Sequence, residues 1–276
     1  METISIEINQ EQGFLLAHNM ELQFAAIFGG MIVMFLFEGL LPRNTASSNQ
    51  TNRLISNLSL ALINHFSIII YSAFFIVTVS KFQPDSPLLS YFKLSDIPTF
   101  CIFFLLMEFV NYAIHRAFHH IPFLWKIHRV HHTDIEVDTT TSHRHHPIEP
   151  LLGVIIMTPV IFIIGAPAII MIIYSLLHTV VSVVSHSNIQ LPQKLDNFLR
   201  WFIITPDFHR MHHASDQQYT DSNYGGITPW FDYLFKTATR IDFVKISKME
   251  VGLDKFRSSN DNRLDKVLLN PFVTSD

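Results

Sequence analysis

Apolar residues in this chain gather into long unbroken runs instead of alternating with polar ones. Three runs approach the roughly 20 residues needed to cross a bilayer as a helix. The first extends from Leu22 to Leu41 and is closed by Pro42. The second extends from Leu54 to Ser80 and stops before Lys81, and the third from Ile97 to Ile114, ending at His115. A fourth region, Leu151 to Val184, is interrupted at Gly165-Ala166-Pro167. Its arms, about 15 and about 18 residues long, suit either a tight hairpin across the membrane or a shallower re-entrant one. From Asn188 onward charges become frequent and Pro192, Pro206 and Pro229 punctuate the chain, which reads as a cap outside the bilayer. The pattern predicts an all-α, multi-pass membrane protein with about four membrane-embedded helical segments or hairpins. Residues 1–21 form an N-terminal segment, 22–241 the membrane-embedded unit with its cap, and 242–276 a polar, loosely held C-terminal tail.

Basic residues orient this layout. Residues 1–21 contain no Lys or Arg, and the acidic start lacks the basic region of a cleavable signal peptide. Arg43 and Arg53 follow the first span, Lys81 and Lys93 the second, and all remaining basic residues come after the third. Placing the N-terminus outside puts 17 of 19 Lys and Arg in the cytoplasm, as the positive-inside rule requires. A bacterial inner membrane is the first expectation and the endoplasmic reticulum the second.

Composition adds one anomaly. Only 15% of residues are charged, yet 16 of the 276 are histidine. A net charge of −4 offers no basic footprint for nucleic acid. With the single cysteine Cys101, thiolate zinc sites, cysteine-held iron–sulfur clusters and internal disulfides are excluded. Any metal must be held by His, Asp, Glu or Asn.

The histidines are clustered. His115 and His119 lie four apart at the end of the third run and share a helical face with Glu108, Asn111 and Tyr112. A polar stripe in a membrane helix is expensive and points to a site. Two further segments, His128-Arg129-Val130-His131-His132 and His209-Arg210-Met211-His212-His213, both read H-R-x-H-H. On a helix the first histidine meets those at i+3 and i+4 on one side, so one segment can serve one or two metals. Imidazole suits iron, zinc, copper and nickel alike. His186 ends the last apolar arm, with His178, Ser182 and Ser185 on the same face. In His143-Arg144-His145-His146-Pro147-Ile148-Glu149-Pro150 the prolines predict a bend. There His146 is a candidate for an additional ligand, and His143 and His145 are expected to be solvated. His178 is a second additional candidate, and His18 and His65 receive no role.

These motifs resemble the fatty acid hydroxylase superfamily, which includes sterol desaturases and sterol methyl oxidases. The resemblance rests on His115-Arg116, Phe123-Leu124-Trp125 before the first H-R-x-H-H, His146-Pro147-Ile148-Glu149, His186-Ser187-Asn188, Thr205-Pro206 before the second H-R-x-H-H, Asp221-Ser222-Asn223-Tyr224-Gly225 and Phe231-Asp232-Tyr233-Leu234-Phe235. It implies a cytosol-facing pair of iron ions held by His115, His119, His128, His131, His132, His186, His209, His212 and His213, with no catalytic residue separate from these ligands. Some relatives carry a second polar ligand one turn before the His186 position; Ser182 stands there, so His178 or water is expected to complete the shell. The implied activity is oxygen-dependent hydroxylation of a lipid or other long apolar substrate, with desaturation as the near alternative. The electrons would come from a separate donor: a b-type cytochrome, a ferredoxin or a small reductant such as a pterin. Chemistry points the same way, because acid–base groups cannot break the unactivated C–H bonds of lipid chains.

Two other classes compete. A metal transporter would place its ligands near the bilayer midplane, whereas these cluster after the spans end. A zinc hydrolase needs an open metal position and a carboxylate base, for which Glu149 and Asp207 are the candidates, but three ligands suffice for that chemistry and nine exceed it.

Overall fold

The computed structural model describes residues 10–45, 50–82, 84, 86–240, 245–246 and 248–274. Among them there is no β-strand, only isolated bridges between Pro42 and Ile189 and between Ala214 and Val251. Gln10–Ala17 (α1) precedes Asn19–Phe24 (α2), which passes through a π-helical turn at Ala25–Gly29 into Gly30–Leu40 (α3). Thr51–Val79 (α4) and Asp96–His120 (α5) follow. Pro122–His132 (α6) leads by a 3-10 turn at Thr139–His143 to Ile148–Ile164 (α7) and Ala168–Ser185 (α8). The cap contains Gln193–Leu199 (α9), Pro206–His212 (α10), Gln217–Thr220 (α11), Trp230–Phe235 (α12) and Leu264–Leu269 (α13).

Four helices are long and apolar enough to cross a membrane: Asn19–Leu40, Thr51–Phe82, Asp96–His120 and Ala168–Ser185, with Ile148–Ile164 a shorter apolar partner. Their outer faces carry Ile32, Leu36, Leu40, Phe66, Ile70 and Phe74, all exposed. A fold that leaves so much apolar surface uncovered needs an apolar solvent around it. Inside, Phe103 and Met107 of α5 meet Ile170 and Tyr174 of α8 and Phe208 and Met211 of α10.

The interrupted fourth region is a hairpin whose tip reaches the α4–α5 connection. Gly165 ends α7 in the left-handed region at φ 69°, where glycine carries no Cβ penalty. A Cβ there would lie 2.1 Å from the Pro87 side chain. Ile164 and Ile170, on either side of the tip, share a core with Leu89 of the same connection. The histidines of the third run's end, of the two H-R-x-H-H segments and at position 186 lie toward the opposite end.

α5 runs six residues past its apolar stretch, so His115 and His119 ride on its last two turns. Pro122 cannot continue that helix and instead opens α6, where its fixed φ suits the first position. Higher on α5, Glu108 is buried but saturated. It accepts from the Tyr174 hydroxyl at 2.9 Å, from the backbone N–H groups of Ile227 (3.1 Å) and Thr228 (2.7 Å), and from the Thr228 hydroxyl at 3.1 Å. Asn111 donates to Tyr174. The upper part of the polar stripe therefore holds a turn of the cap, and only its lower part reaches the histidine clusters.

A buried polar hub fixes the segment after α6. Arg53 pairs with Asp134 and Asp138, and Asn57 donates to Asp134 and Thr140. Arg144 donates to Asn57, the Val130 carbonyl, Thr133 and Asn262. The C-terminal segment differs from the loosely held tail that its composition predicts. Ser56 donates to the Asn262 carbonyl at 2.6 Å, Arg129 donates to the Asn270 side chain at 2.9 Å and to the Val273 carbonyl at 2.8 Å, and Val267 packs with Leu60 and Val130. Donors on α4 and α6, with Arg144 beyond them, hold a segment that carries few apolar residues.

Candidate metal centre

The nine histidines singled out by the sequence converge into two groups. His115, His119, His128, His132 and His212 form one, and His131, His186, His209 and His213 the other. Within each, one ring nitrogen per residue lies within 4.8 Å of all the others. Each H-R-x-H-H helix is split between them. In α6 the i and i+4 residues His128 and His132 face the five-histidine group, and His131 at i+3 faces the other. In α10 and the residue after it the assignment is reversed: His209 and His213 join the four-histidine group and His212 the five.

Backbone carbonyls and carboxylates fix the ring orientations from outside. His115 Nδ1–H donates to the Tyr224 carbonyl at 2.9 Å, His212 Nδ1–H to the Ser222 carbonyl at 2.7 Å, and His119 Nδ1–H to Asp221 at 3.2 Å. One loop, Asp221 to Tyr224, thus orients three of the five rings. That loop is shaped by Asn223 at φ 58°, whose side chain donates to the Phe208 carbonyl. Asp232 anchors it by accepting from the N–H groups of Tyr224 (2.9 Å) and Gly225 (2.7 Å). His128 Nδ1–H donates to Glu149 at 2.8 Å, and His186 Nδ1–H to the Ser182 carbonyl at 2.7 Å. Ser182, a poor ligand by side chain, thus contributes its backbone.

In these five rings Nδ1 is protonated and donated outward, so Nε2 is left as an inward lone pair. The Nε2 atoms of His115, His119 and His212 are buried without a partner among the described residues. Those of His128 and His132 face each other at 3.2 Å, and His186 Nε2 lies 2.9 Å from His209 Nε2 and 3.2 Å from His131 Nε2. Converging lone pairs in a dry interior are costly, and a cation between them turns each repulsion into a bond. The residues therefore fit two metal ions in an all-nitrogen environment. Burial, followed by the neighbouring imidazoles, holds His131, His132, His209, His212 and His213 far below the usual histidine range. Burial likewise pushes His186 down to about 3. All six are neutral near pH 7, the state a ligand requires.

The two additional candidates lie outside both groups. His146 turns toward the C-terminal segment, with Nε2 3.1 Å from the Leu268 carbonyl and Nδ1 accepting from the Ile148 N–H. Its neighbour His145, expected to be solvated, stacks on His131 at 4.3 Å between centroids and 14° between planes. Pro147 sets this bend, and which of two adjacent histidines points inward depends on backbone torsions that residue spacing does not reveal. His178 lies two turns deeper on α8, against Gly226, where an added Cβ would come within 3.0 Å of its Nε2. Asp207 is engaged by Arg43, and Glu149 by His128 and His145, so neither imagined hydrolytic base is free.

The fold and these groups define a class: a helical protein built to cross a membrane, with a histidine-rich candidate dimetal centre. Residues 100–237, half of the chain, match the fatty acid hydroxylase family, and the chain belongs to it. It is similar to an alkylglycerol monooxygenase of Xenopus tropicalis, 26% identical over 53% of this chain and 33% of the relative. A Caenorhabditis elegans alkylglycerol monooxygenase is 28% identical over 50% of this chain and 26% of its own length. A very-long-chain aldehyde decarbonylase of Oryza sativa subsp. japonica is 30% identical over 48% of this chain and 21% of its own length. The matched region spans a third or less of these relatives. No solved structure matches the chain.

Proposed function

We propose that this protein is an oxygen-dependent di-iron monooxygenase that hydroxylates a long apolar lipid chain at the membrane surface. The observation that carries this reading is the pair of all-histidine groups, five and four strong, at the end of helices able to cross a membrane. Iron bound there would supply the oxidising power needed to break an unactivated C–H bond. The chain's residues supply the rest. The carbonyls of Ser182, Ser222 and Tyr224 hold the imidazoles of His186, His212 and His115 in the ligating tautomer. The apolar side chains of α5 and α8 exclude water on the membrane side of the site, from which an alkyl chain would approach. In balance, substrate R–H, dioxygen, two electrons and two protons yield R–OH and water. The electrons must come from a separate donor such as a b-type cytochrome, a ferredoxin or a small reductant.

The names of the relatives support the substrate class, since alkylglycerols and very-long-chain aldehydes both carry long alkyl chains. A zinc hydrolase is disfavoured, because Glu149 and Asp207 are both committed to cationic or N–H partners. The Lys and Arg distribution favours a site on the cytoplasmic side, of a bacterial inner membrane or of the endoplasmic reticulum. The test is metal analysis of the purified protein with oxygen uptake in the presence of lipid extract, read by mass spectrometry. Two irons per chain and one added oxygen on one lipid class are expected. Stoichiometric zinc without oxygen uptake would overturn the proposal.

A further inference from the structure

A third cluster borders the two histidine groups: His128, His145 and Glu149 also bring a ring nitrogen or carboxylate oxygen each within 4.8 Å of one another. Its geometry is specific. The same oxygen, Glu149 Oε1, accepts from His128 Nδ1–H at 2.8 Å and from His145 Nδ1–H at 3.0 Å. His128 belongs to the five-histidine group. His145 belongs to neither, but its ring lies flat on His131 of the four-histidine group, 4.3 Å away and 14° from parallel. His145 also lies 6.1 Å from His128, 25° from parallel. A single carboxylate oxygen therefore sets the direction of a ring in one group and, through the stacked ring, of a ring in the other.

Local structure explains why the carboxylate sits there. Glu149 is in the first turn of α7, where the helix dipole favours negative charge. Pro147 fixes the bend before it, and the Glu149 N–H donates back to the His146 carbonyl at 2.8 Å. The carboxylate is thus held by backbone as well as by its partners.

We infer that Glu149 and His145 are positioning residues that form a brace between the two candidate metal positions, so that the ligands of one position are not set independently of the other. The inference rests on the proposed two-metal reading. It assigns Glu149 an orienting role, not a base, and gives the inward-facing His145 a purpose without making it a ligand. Outer partners of metal ligands typically change affinity about 10- to 100-fold when removed, and here one residue acts on both positions.

The test is titration of the chelator-stripped full-length protein with Co2+, followed by visible absorption. Wild type should bind two equivalents. Glu149→Leu should weaken both by about 10- to 100-fold. Glu149→Gln, which keeps an accepting oxygen, should weaken each by less than about tenfold. His145→Phe keeps the stacked ring but cuts its link, and should shift the four-histidine position alone. Repeating Glu149→Leu in the His131→Ala and His212→Ala backgrounds identifies which position each equivalent fills. If Glu149→Leu leaves the four-histidine position unchanged, the brace is wrong. A third Co2+ equivalent, bound by wild type and lost in Glu149→Leu, would also overturn it by making this cluster a metal site. Should Glu149→Leu not fold by circular dichroism, Glu149→Gln and His145→Phe decide the matter. Failure of wild type to bind two equivalents would instead strike the two-metal reading itself.

Discussion

His132 and His213, the last residues of the two H-R-x-H-H segments, stack with ring centroids 4.7 Å apart and planes 24° from parallel. They belong to different groups, His132 to the five and His213 to the four. The stack marks where α6 and the end of α10 meet. Each segment sends its i+3 histidine to the group opposite its own pair, so both helices contribute to both candidate metal positions.

Loss of a single ligand should empty one position and spare the other. His212→Ala, in the five-histidine group, and His131→Ala, in the four, should each lower bound metal from about two to about one ion per chain. Turnover should fall by more than the roughly 100-fold typical of outer partners. Elemental analysis and a lipid hydroxylation assay check this, and two active mutants with full metal would remove the basis of the proposed function.

Asp232 gives a pH signature remote from the histidines. Burial raises its pKa from 3.8 to about 6, against the opposing bonds from Thr237, Tyr224 and Gly225. A carboxyl with a folded pKa above its unfolded value favours the folded state while protonated. Its contribution is full below about pH 4 and is lost as pH rises through about 6, a loss of roughly 3 kcal/mol at 1.36 kcal/mol per unit. Asp232→Asn mimics the protonated acid. The stability of wild type relative to Asp232→Asn should therefore decline between pH 4 and pH 6.5 in thermal melts in detergent. A difference that stays constant over this range contradicts the assignment.

Glu108→Ala should be among the most damaging changes away from the histidines. It strips the acceptor from two backbone N–H groups and two hydroxyls in an apolar setting, at about 1–3 kcal/mol for each group left unpaired. Glu108→Gln keeps an acceptor and should retain more of the melting temperature. Equal melting temperatures for the two variants would show that hydrogen bonding at this position is not what matters.

The C-terminal clamp should be needed for the centre. Deleting residues 264–274 removes Val267 from its contact with Leu60 and Val130 and takes away the Asn270 and Val273 acceptors of Arg129. Removing hydrogen-bond acceptors from a buried guanidinium costs about 1–3 kcal/mol for each donor left unpaired, and α6 carries three of the nine histidines. The truncated protein should melt at lower temperature and retain less metal, whereas Asn270→Ala should cost about 1–3 kcal/mol. Unchanged metal content in the truncation would separate the clamp from the centre.

Much of this was readable in the sequence. Run length marked the helices, because a bilayer dictates length. Spacing by three and four marked the histidines, because helix geometry dictates which side chains meet. Legibility failed where backbone torsion or distant partners decide. The crossing of His131 and His212 to opposite groups depends on how two helices face each other. The choice of His145 over His146 depends on the bend at Pro147. Asp221 to Tyr224 orient three rings mainly through backbone carbonyls, which carry no side-chain signature. The order of 248–274 comes from Arg129, Arg144 and Ser56, residues remote in sequence.

The hairpin tip at Gly165 has a topological consequence. Between His145 and His186 the chain travels down α7 and back up α8, an even number of passes. Parity returns it to the level from which it left, so His186 can meet His131. A variant lacking α7 or α8 would make that count odd and strand His186, together with His209, His212 and His213 beyond it in the chain, at the far end, however well every remaining helix formed.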